Sequence, residues 1–137
     1  MVKQVIVIRK DLKTRRGKEI SQGSHASIAF LTSRIREKLD RESFGTLSSG
    51  ELEVSVSLSK AEVEWIDGPF TKVCVKVDSE EELMKIKDNA EKAGLNYNLI
   101  VDSGKTEFGG KPTLTCMAIG PDEEELIDKV TGHLKLY

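Results

Sequence analysis

Aromatic residues are scarce in this sequence and make up 5% of its 137 residues. They do not alternate with basic residues, which argues against base stacking as the main way of binding a nucleic acid strand. Cysteine is scarce too: Cys74 and Cys116 lie far apart, in segments that resemble strands, and neither belongs to a CxxC motif. We therefore expect both thiols to be buried and reduced, and we expect neither a disulfide nor a metal site.

Long hydrophobic runs are also missing. No apolar run approaches the ~20 residues that a membrane-spanning helix needs, and the run at residues 5–8 is too short for a signal peptide. We therefore expect no membrane association and a cytoplasmic location. A length of 137 residues is enough for one domain with its own hydrophobic core, so we expect a single domain over residues 1–137.

The net charge is only −2, but the charges are unevenly distributed along the chain. Residues 1–41 contain eleven Lys and Arg against four Asp and Glu, whereas residues 42–137 contain ten against nineteen. Such asymmetry suggests a basic surface for a polyanion on an otherwise acidic protein. The alternative is a fold that mixes the two halves on its surface, and charge alone does not decide between them.

The hydrophobic pattern predicts an α/β protein with a mixed β-sheet. Four apolar segments have the length and composition of strands, and helical patterns separate or follow them. The expected elements are a strand at 5–8, a helix at 18–39, an edge strand or extended arm at 51–58, a short helix ending near residue 65, a strand at 71–77, a helix ending before Gly94, strands at 95–101 and 113–119, and a last helix ending near residue 130.

Local signals support several of the predicted helices. Three pairs have the spacing of a capping box, in which the first side chain caps the helix and the second reaches back. These pairs are Ser59 with Glu62, Ser79 with Glu82, and Asp122 with Glu125. In the long first helix, apolar residues recur at helical spacing and predict the buried stripe. They are Ile28, Leu31, Ile35 and Leu39.

A basic segment at the start of the long helix is the first chemical signal. Lys18 follows Gly17 there, and Lys13, Arg15 and Arg16 lie in the same turn. Free backbone N–H groups, the helix dipole and these cations together would bind a phosphate or a developing oxyanion. The alternative is a basic loop that is simply solvated.

A polar turn after a predicted strand is the second signal. It reads Asp102-Ser103-Gly104-Lys105-Thr106, and binding residues in open α/β sheets gather at the carboxyl ends of strands. A carboxylate followed by small residues and a hydroxyl can orient water and brace a ribose or a carbonyl. Taken alone, the turn is also an ordinary Asx turn. Lys18 follows the first strand through a loop, so we expect both signals on one rim of the sheet.

Other chemistries find little support. His25 lies one turn before Ile28, so we expect a hydrogen-bonded helix histidine that borders the buried face. No Cys, His or carboxylate spacing resembles a metal site. The sequence contains no G-x-S-x-G elbow, and its Gly104-Lys105 lacks the preceding glycine of a P-loop.

Taken in order, these segments resemble the second, archaeal–eukaryotic type of peptidyl-tRNA hydrolase, over nearly the whole chain. The resemblance begins with residues 9–13 (RKDLK), Gly17-Lys18, Gln22 and residues 24–26 (SHA), and it continues with Trp65, Gly68 and Lys72. It ends with the Asp102-x-Gly104-x-Thr106 turn, residues 119–121 (IGP) and residues 127–136 (IDKVTGHLKL). Each motif alone is weak, and the match rests on all of them in the right order.

The resemblance implies a three-layer α/β/α fold, commonly a homodimer, that hydrolyses the ester between a peptide and the 3′ ribose of tRNA without a cofactor or metal. The catalytic residues it implies are Lys18, Asp102, Thr106 and a threonine of the last strand, which is Thr113 or Thr115. We expect substrate and tRNA contacts from Lys13, Arg15, Arg16, Gln22, His25 and Lys105. Residues 43–58 lack a clear counterpart in the family and are interpreted as an added arm.

Two other functions remain open at this point. The first is a tRNA-binding or partner-recruiting module that kept the fold and lost turnover. The presence of Lys18, Asp102 and Thr106 speaks against that alternative. The second is a small hydrolase of other acyl or phosphate esters, which would need the anion site but not the basic N-terminal segment.

Overall fold

The computed structural model describes residues 1–105 and 107–137. The strands are β1 (Val2–Arg9), β2 (Gly45–Thr46), β3 (Leu52–Glu53), β4 (Lys72–Val77), β5 (Tyr97–Asp102) and β6 (Thr113–Glu123). The helices are α1 (Arg16–Asp40), α2 (Lys60–Ile66), α3 (Glu80–Lys92) and α4 (Glu124–Thr131), and a single 3₁₀ turn spans Phe108–Gly110. In the part of the chain that the structure describes, no helix is long and apolar enough to span a membrane.

Four strands form one mixed sheet in the order β4–β1–β6–β5. Strand β1 runs parallel to β4 and antiparallel to β6, and β5 runs antiparallel to β6. The two central strands are almost continuously buried, which explains their long apolar runs. The predicted α/β architecture with a mixed sheet is therefore confirmed, as is the single α/β/α arrangement of helices around it.

The hydrophobic core is divided between the two faces of the sheet. On one face, α3 and α4 cover residues of β1, β4 and β6, including Val7, Val77 and Met117. On the other face, Ala26 of α1 packs against Ile6, Cys116 and Ala118. The small side chain of Ala26 allows α1 to lie close to the sheet, which brings the N-terminal half of the helix near β5 and β6.

The predicted buried stripe of α1 is wrong for Ile28 and Leu39, whereas Leu31 is half-buried and packs against the cluster of Val2, Phe30 and Trp65. The buried residues of the helix are Gln22, Gly23, Ala26 and Phe30, whereas Ile28 is 51% exposed and Leu39 is also exposed. The helix is rotated because its small residues, rather than its large aliphatic ones, face the sheet. As a consequence, a polar side chain, Gln22, occupies a buried position beside β6.

The three predicted capping boxes have different outcomes. Ser59 and Glu62 form the reciprocal pair of hydrogen bonds at the start of α2, as predicted. The Ser79 hydroxyl accepts from the Glu82 backbone N–H, but the Glu82 carboxylate accepts from Asp78 instead of returning to Ser79. The box at Asp122 is wrong. Because β6 continues to Glu123, α4 begins later, and no cap side chain bonds at its start.

Residues 43–58 form an extended arm and not an edge strand of the main sheet. Only β2 and β3 pair with each other, in a short exposed hairpin. The rest of the arm runs back along α1, where the Arg34 guanidinium donates to the backbone carbonyl of Ser57. Leu58 packs against the cluster of Val2, Phe30 and Trp65, so the arm is attached at its C-terminal end.

The two cysteines are both free, but they lie in different surroundings. Cys116 is fully buried on β6, and burial raises the pKa of its thiol to about 11. The expectation that Cys74 is buried is wrong, because Cys74 is exposed on β4. Helix α1 covers β5 and β6 on its face of the sheet and leaves the neighbouring part of β4 open.

Candidate active site

The N-terminal turn of α1 and the end of β5 meet at one rim of the sheet. The Lys18 ammonium lies 2.6 Å from Oδ1 of Asp102. Asp102 is 8% exposed, and the Lys18 side chain is also largely covered. The two polar segments that were predicted to share one rim are thus joined by a short, largely covered ion pair.

The backbone of the turn after β5 binds the Asp102 carboxylate. The backbone N–H of Gly104 donates to Oδ2 of Asp102 over 2.8 Å. Gly104 has a φ of +81°, and a Cβ there would lie 2.3 Å from the carbonyl oxygen of Lys111. Only glycine fits this position. The Asp-x-Gly pattern therefore has a structural cause, since the glycine brings its N–H to the carboxylate.

Gln22 and Thr115 lie on the buried side of the Asp102 carboxylate. The Gln22 amide donates from Nε2 to Oδ1 of Asp102 over 3.4 Å, and its Oε1 accepts from the Thr115 hydroxyl over 2.7 Å. Both residues are buried, with Gln22 only 6% exposed. The thiol of Cys116 also donates to the backbone carbonyl of Gln22. Strand β6 therefore fixes both the backbone and the side chain of Gln22.

These contacts keep Asp102 ionised. The hydrogen bond from Lys18 lowers the pKa of the Asp102 carboxyl below its ordinary value, although burial acts in the opposite direction. The Gly104 N–H and the charges of Lys18 and His25 lower the pKa further. Asp102 is thus an ionised carboxylate in a fixed orientation beside an ammonium group. The carboxylate can orient a water molecule, and the ammonium can stabilise negative charge on a reacting oxygen.

The candidate threonines occupy different positions. Thr115 is connected to Asp102 through Gln22, as described above. Thr113 is half-buried at the start of β6, and its hydroxyl donates to the backbone carbonyl of Lys111. The prediction for Thr106 falls on a residue that lies outside the described residues. Of the two strand threonines, Thr115 is therefore the one that is connected to Asp102 by hydrogen bonds, through Gln22.

Part of the predicted basic surface lines a cavity of about 380 Å³ beside the start of α1. Lys13 and Arg16 line it, together with Lys10 and Tyr137. The Lys10 ammonium lies 4.1 Å from the centre of the Tyr137 ring. Lys10 and Tyr137 were not predicted here. Tyr137 reaches the cavity because the C-terminal residues lie beside β4, where Leu136 forms a β-bridge with Val75.

The other predicted contact residues surround the Asp102 rim. Arg15 is highly exposed and pairs with Glu107 across the turn, with Nε and Oε1 3.4 Å apart. Lys105 is exposed. His25 is exposed as well, next to the buried Ala26, and its charge acts on Asp102. These three residues are all accessible to a large ligand.

An apolar groove lies on the other side of α1, and it was not predicted from the sequence. Its volume is about 880 Å³, and it is lined by Ile8, Ile20, Ile28, Phe70 and Cys74, among others. Ile20 is 64% exposed and Phe70 is 51% exposed. The signal for the groove was present in α1, but the pattern assigned its large aliphatic residues to the core.

Comparison with known proteins gives one consistent family. A family model described as "Peptidyl-tRNA hydrolase PTH2" matches residues 2–137. A protein named "Peptidyl-tRNA hydrolase" from Thermococcus onnurineus is 40% identical over 138 residues, which is 98% of this chain and 96% of the relative. Relatives of the same name from Methanocaldococcus jannaschii (40% identical, 98% and 99% covered) and Methanopyrus kandleri (41% identical, 99% and 98% covered) are similar over the same extent. The match to the family model extends over every segment that builds the rim around Asp102.

Proposed function

Because this chain belongs to the peptidyl-tRNA hydrolase family PTH2 and is a peptidyl-tRNA hydrolase, we propose that Lys18 and Asp102 form its reaction site. The observation that supports this proposal is the 2.6 Å ion pair between them at the sheet rim. The reaction is hydrolysis of the ester between the peptide and the 3′ ribose of tRNA. Its products are a free peptide carboxylate and a tRNA with a free ribose hydroxyl.

Asp102 acts on the attacking water. Within the described residues, Oδ2 accepts one hydrogen bond, from Gly104, which leaves a lone pair that can accept a hydrogen bond from water. Since the pKa of Asp102 is lowered, the carboxylate is a weak base, and its main contribution is to orient the water toward the ester carbonyl. The water oxygen bonds to the carbonyl carbon, a water proton is released, and the ribose oxygen leaves with a proton as the ester bond breaks.

Lys18 supplies positive charge where negative charge develops. When water adds to the ester, the carbonyl oxygen becomes an oxyanion, and a nearby ammonium stabilises it more than it stabilises the neutral ester. The same ammonium would also attract the phosphate of the terminal nucleotide. Because Asp102 already fixes the Lys18 side chain, little reorganisation is needed during the reaction.

The tRNA strand is bound by the basic residues around the rim. Lys13, Arg15, Arg16, Lys105 and His25 are exposed there and can contact phosphates without base readout. We expect Thr106 to position the ribose or the ester carbonyl.

We also propose that the protein acts as a homodimer in the cytoplasm. The apolar groove beside α1 supports the dimer, since exposed Ile20, Ile28 and Phe70 form a contiguous apolar surface of the kind that marks protein interfaces. Two copies related by a two-fold axis would bury the same surface on each partner. The free thiols Cys74 and Cys116 support a reducing compartment. An Ile20→Glu/Phe70→Glu double variant that sediments at the same mass as the wild type would contradict this interface.

The activity itself is tested by release of the acyl group from N-acetyl-aminoacyl-tRNA, with unblocked aminoacyl-tRNA alongside and EDTA present throughout. We expect rapid cleavage of the blocked ester in EDTA. Tight tRNA binding without cleavage would instead indicate a binding module. Cleavage of small acyl esters with no dependence on tRNA would indicate a different hydrolase.

A further inference from the structure

We infer that Gln22 is a positioning residue, which holds Asp102 in its reactive orientation and does not itself contact tRNA or peptide. The inference deepens the proposed function and rests on Asp102 as a reacting group. It replaces the expectation that Gln22 binds substrate, because the side chain points inward and is bonded at both ends to protein atoms. Both polar ends of the amide are therefore engaged away from a ligand at the surface.

The chemistry of the neighbours fixes the orientation of the Gln22 amide. An ionised carboxylate can only accept hydrogen bonds, so the amide must present its NH₂ group to Asp102. Its oxygen then faces Thr115, which must donate. The Thr115 hydroxyl has one hydrogen, and its shortest acceptor contact is Oε1 of Gln22, at 2.7 Å. Thr115, Gln22 and Asp102 thus form a chain in which every hydrogen bond runs in one direction.

This chain determines which oxygen of Asp102 is available for the reaction. Oδ1 accepts from Lys18 and from Gln22, which uses both of its lone pairs. Within the described residues, Oδ2 accepts only from Gly104 and retains one lone pair for water. If Gln22 no longer donated, the carboxylate could turn about its Cβ–Cγ bond, and the free lone pair of Oδ2 would lose its fixed direction. Gln22 therefore keeps the carboxylate in a single arrangement.

A Gln22→Glu variant gives the sharpest test, since its carboxyl group can copy the amide only while protonated. In that form the new carboxyl O–H would donate to Asp102, and the carbonyl oxygen of the same group would accept from Thr115. Two adjacent carboxyls raise the pKa of one of them strongly. We expect kcat/KM near the wild-type value at acidic pH and a new decline of about 10- to 100-fold as pH rises through that pKa.

The other titratable groups around position 22 do not produce this decline. They are Lys18 and His25 on α1, Asp102 on β5 and Cys116 on β6. All four are present in the wild type as well, so a decline that only Gln22→Glu shows is assigned to the new carboxyl. The new alkaline limb belongs to the variant alone.

Gln4 provides a matched control for the same substitution. It is a fully buried glutamine whose amide bonds to Ser27 at both ends, away from Asp102. Gln4→Glu should lower the melting temperature without adding a limb to the pH profile. If Gln4→Glu and Gln22→Glu show the same pH profile, the positioning role of Gln22 is refuted.

Thr115 variants keep the inference testable if Gln22→Glu does not fold. Thr115→Val removes the donor to Gln22, and Thr115→Ser keeps it. We expect kcat to fall in the valine variant with KM within about twofold, and to recover in the serine variant. A rise in KM with unchanged kcat in Gln22→Met would show that Gln22 binds substrate, and would overturn the inference.

Titration of the Asp102 carboxyl carbon by NMR separates this inference from the proposed function. In Gln22→Met the carboxyl loses one hydrogen bond to its charged form, so its pKa should rise relative to the wild type. Absence of cleavage by the wild type would refute the reaction site and leave this test intact. If the wild type is active and the Asp102 pKa is the same in the wild type and in Gln22→Met, only the positioning role of Gln22 is refuted.

Discussion

The ammonium of Lys18 and the Oδ1 oxygen of Asp102 are 2.6 Å apart, although 83 positions lie between them in the sequence. Helix α1 and strand β5 bring them together because α1 lies on the β5 and β6 side of the sheet. The pair is mostly shielded from water, so its electrostatic interaction is stronger than that of a surface ion pair. The reactivity proposed for this protein depends on this contact.

Replacement of Lys18 by alanine should reduce kcat by at least about 10²–10³-fold, the usual effect of removing one oxyanion donor. The measurement is single-turnover release of N-acetyl-amino acid from tRNA. Lys92→Ala, at an exposed lysine on the opposite side of the sheet, serves as the control. Near-normal turnover by Lys18→Ala would remove Lys18 from the chemistry.

The pH dependence of kcat/KM should report the lowered pKa of Asp102. Asp102 acts in its ionised form, so activity should persist through mildly acidic pH and fall only as pH drops below the ordinary value of 3.8. In Lys18→Ala, the main hydrogen bond that lowers the pKa is absent, and burial raises it instead. The acidic limb should therefore move to higher pH. An unmoved limb would show that another group controls the acidic limb.

The same shift has a consequence for stability. The pKa of Asp102 is lower in the folded protein, so the ion pair stabilises the fold above the unfolded-state pKa, and this contribution disappears as pH falls through the folded-state pKa. Asp102→Asn should flatten the acid part of the stability curve. Urea denaturation at several pH values measures this, and an unchanged curve would contradict the linkage.

The basic residues at the start of α1 should control the salt dependence of tRNA binding. In a Lys13→Ala/Arg15→Ala/Arg16→Ala variant, the slope of log affinity against log salt should decrease by up to ~1 per residue. The matched control replaces three exposed lysines of α3 and α4, Lys85, Lys92 and Lys129, by alanine. Equal slopes in both triple variants would show that tRNA does not contact this surface.

The buried ion pair of Arg34 and Glu62 should matter for stability and not for turnover. The guanidinium donates two hydrogen bonds of 2.7 and 2.8 Å to the carboxylate, which is almost completely buried. Arg34→Met leaves that charge unpaired and should lower the free energy of unfolding by about 3 kcal/mol. Arg36→Met removes an exposed arginine of the same helix and is the control. A large loss of kcat in folded Arg34→Met would instead show that turnover depends on the arm at residues 43–58, which Arg34 contacts at Ser57.

The sequence predicted the parts of this fold that depend on local patterns. The alternation of strands and helices and the capping box at Ser59 could be predicted from spacing. The approach of Lys18 to Asp102 could be predicted because each follows a strand at the same rim of the sheet. The rotation of α1 could not, because Ile28 and Leu39 have the spacing of a core stripe, whereas close packing on the sheet selects Gly23 and Ala26. The burial of Gln22 follows from that rotation and was therefore missed.

Tertiary context also explains the other differences. Cys74 belongs to an apolar strand, but no helix of the described chain covers its side of β4, so the strand pattern alone could not predict its exposure. Asp122 has capping-box spacing, yet β6 continues past it, and Asp122 pairs with Lys3 of β1 in the sheet. Both errors concern what a segment packs against, which is set by residues distant in the sequence.

The most direct test of the proposed site compares the wild type and Asp102→Asn in the hydrolysis of N-acetyl-aminoacyl-tRNA. Asparagine has nearly the same shape, but its single amide oxygen can accept from Gly104 or from Lys18 and not from both, and it lacks the charge that orients water. We expect turnover to fall by at least about 10²-fold while tRNA affinity stays within a fewfold of the wild type. Cleavage at the wild-type rate by folded Asp102→Asn would contradict the central role of this carboxylate.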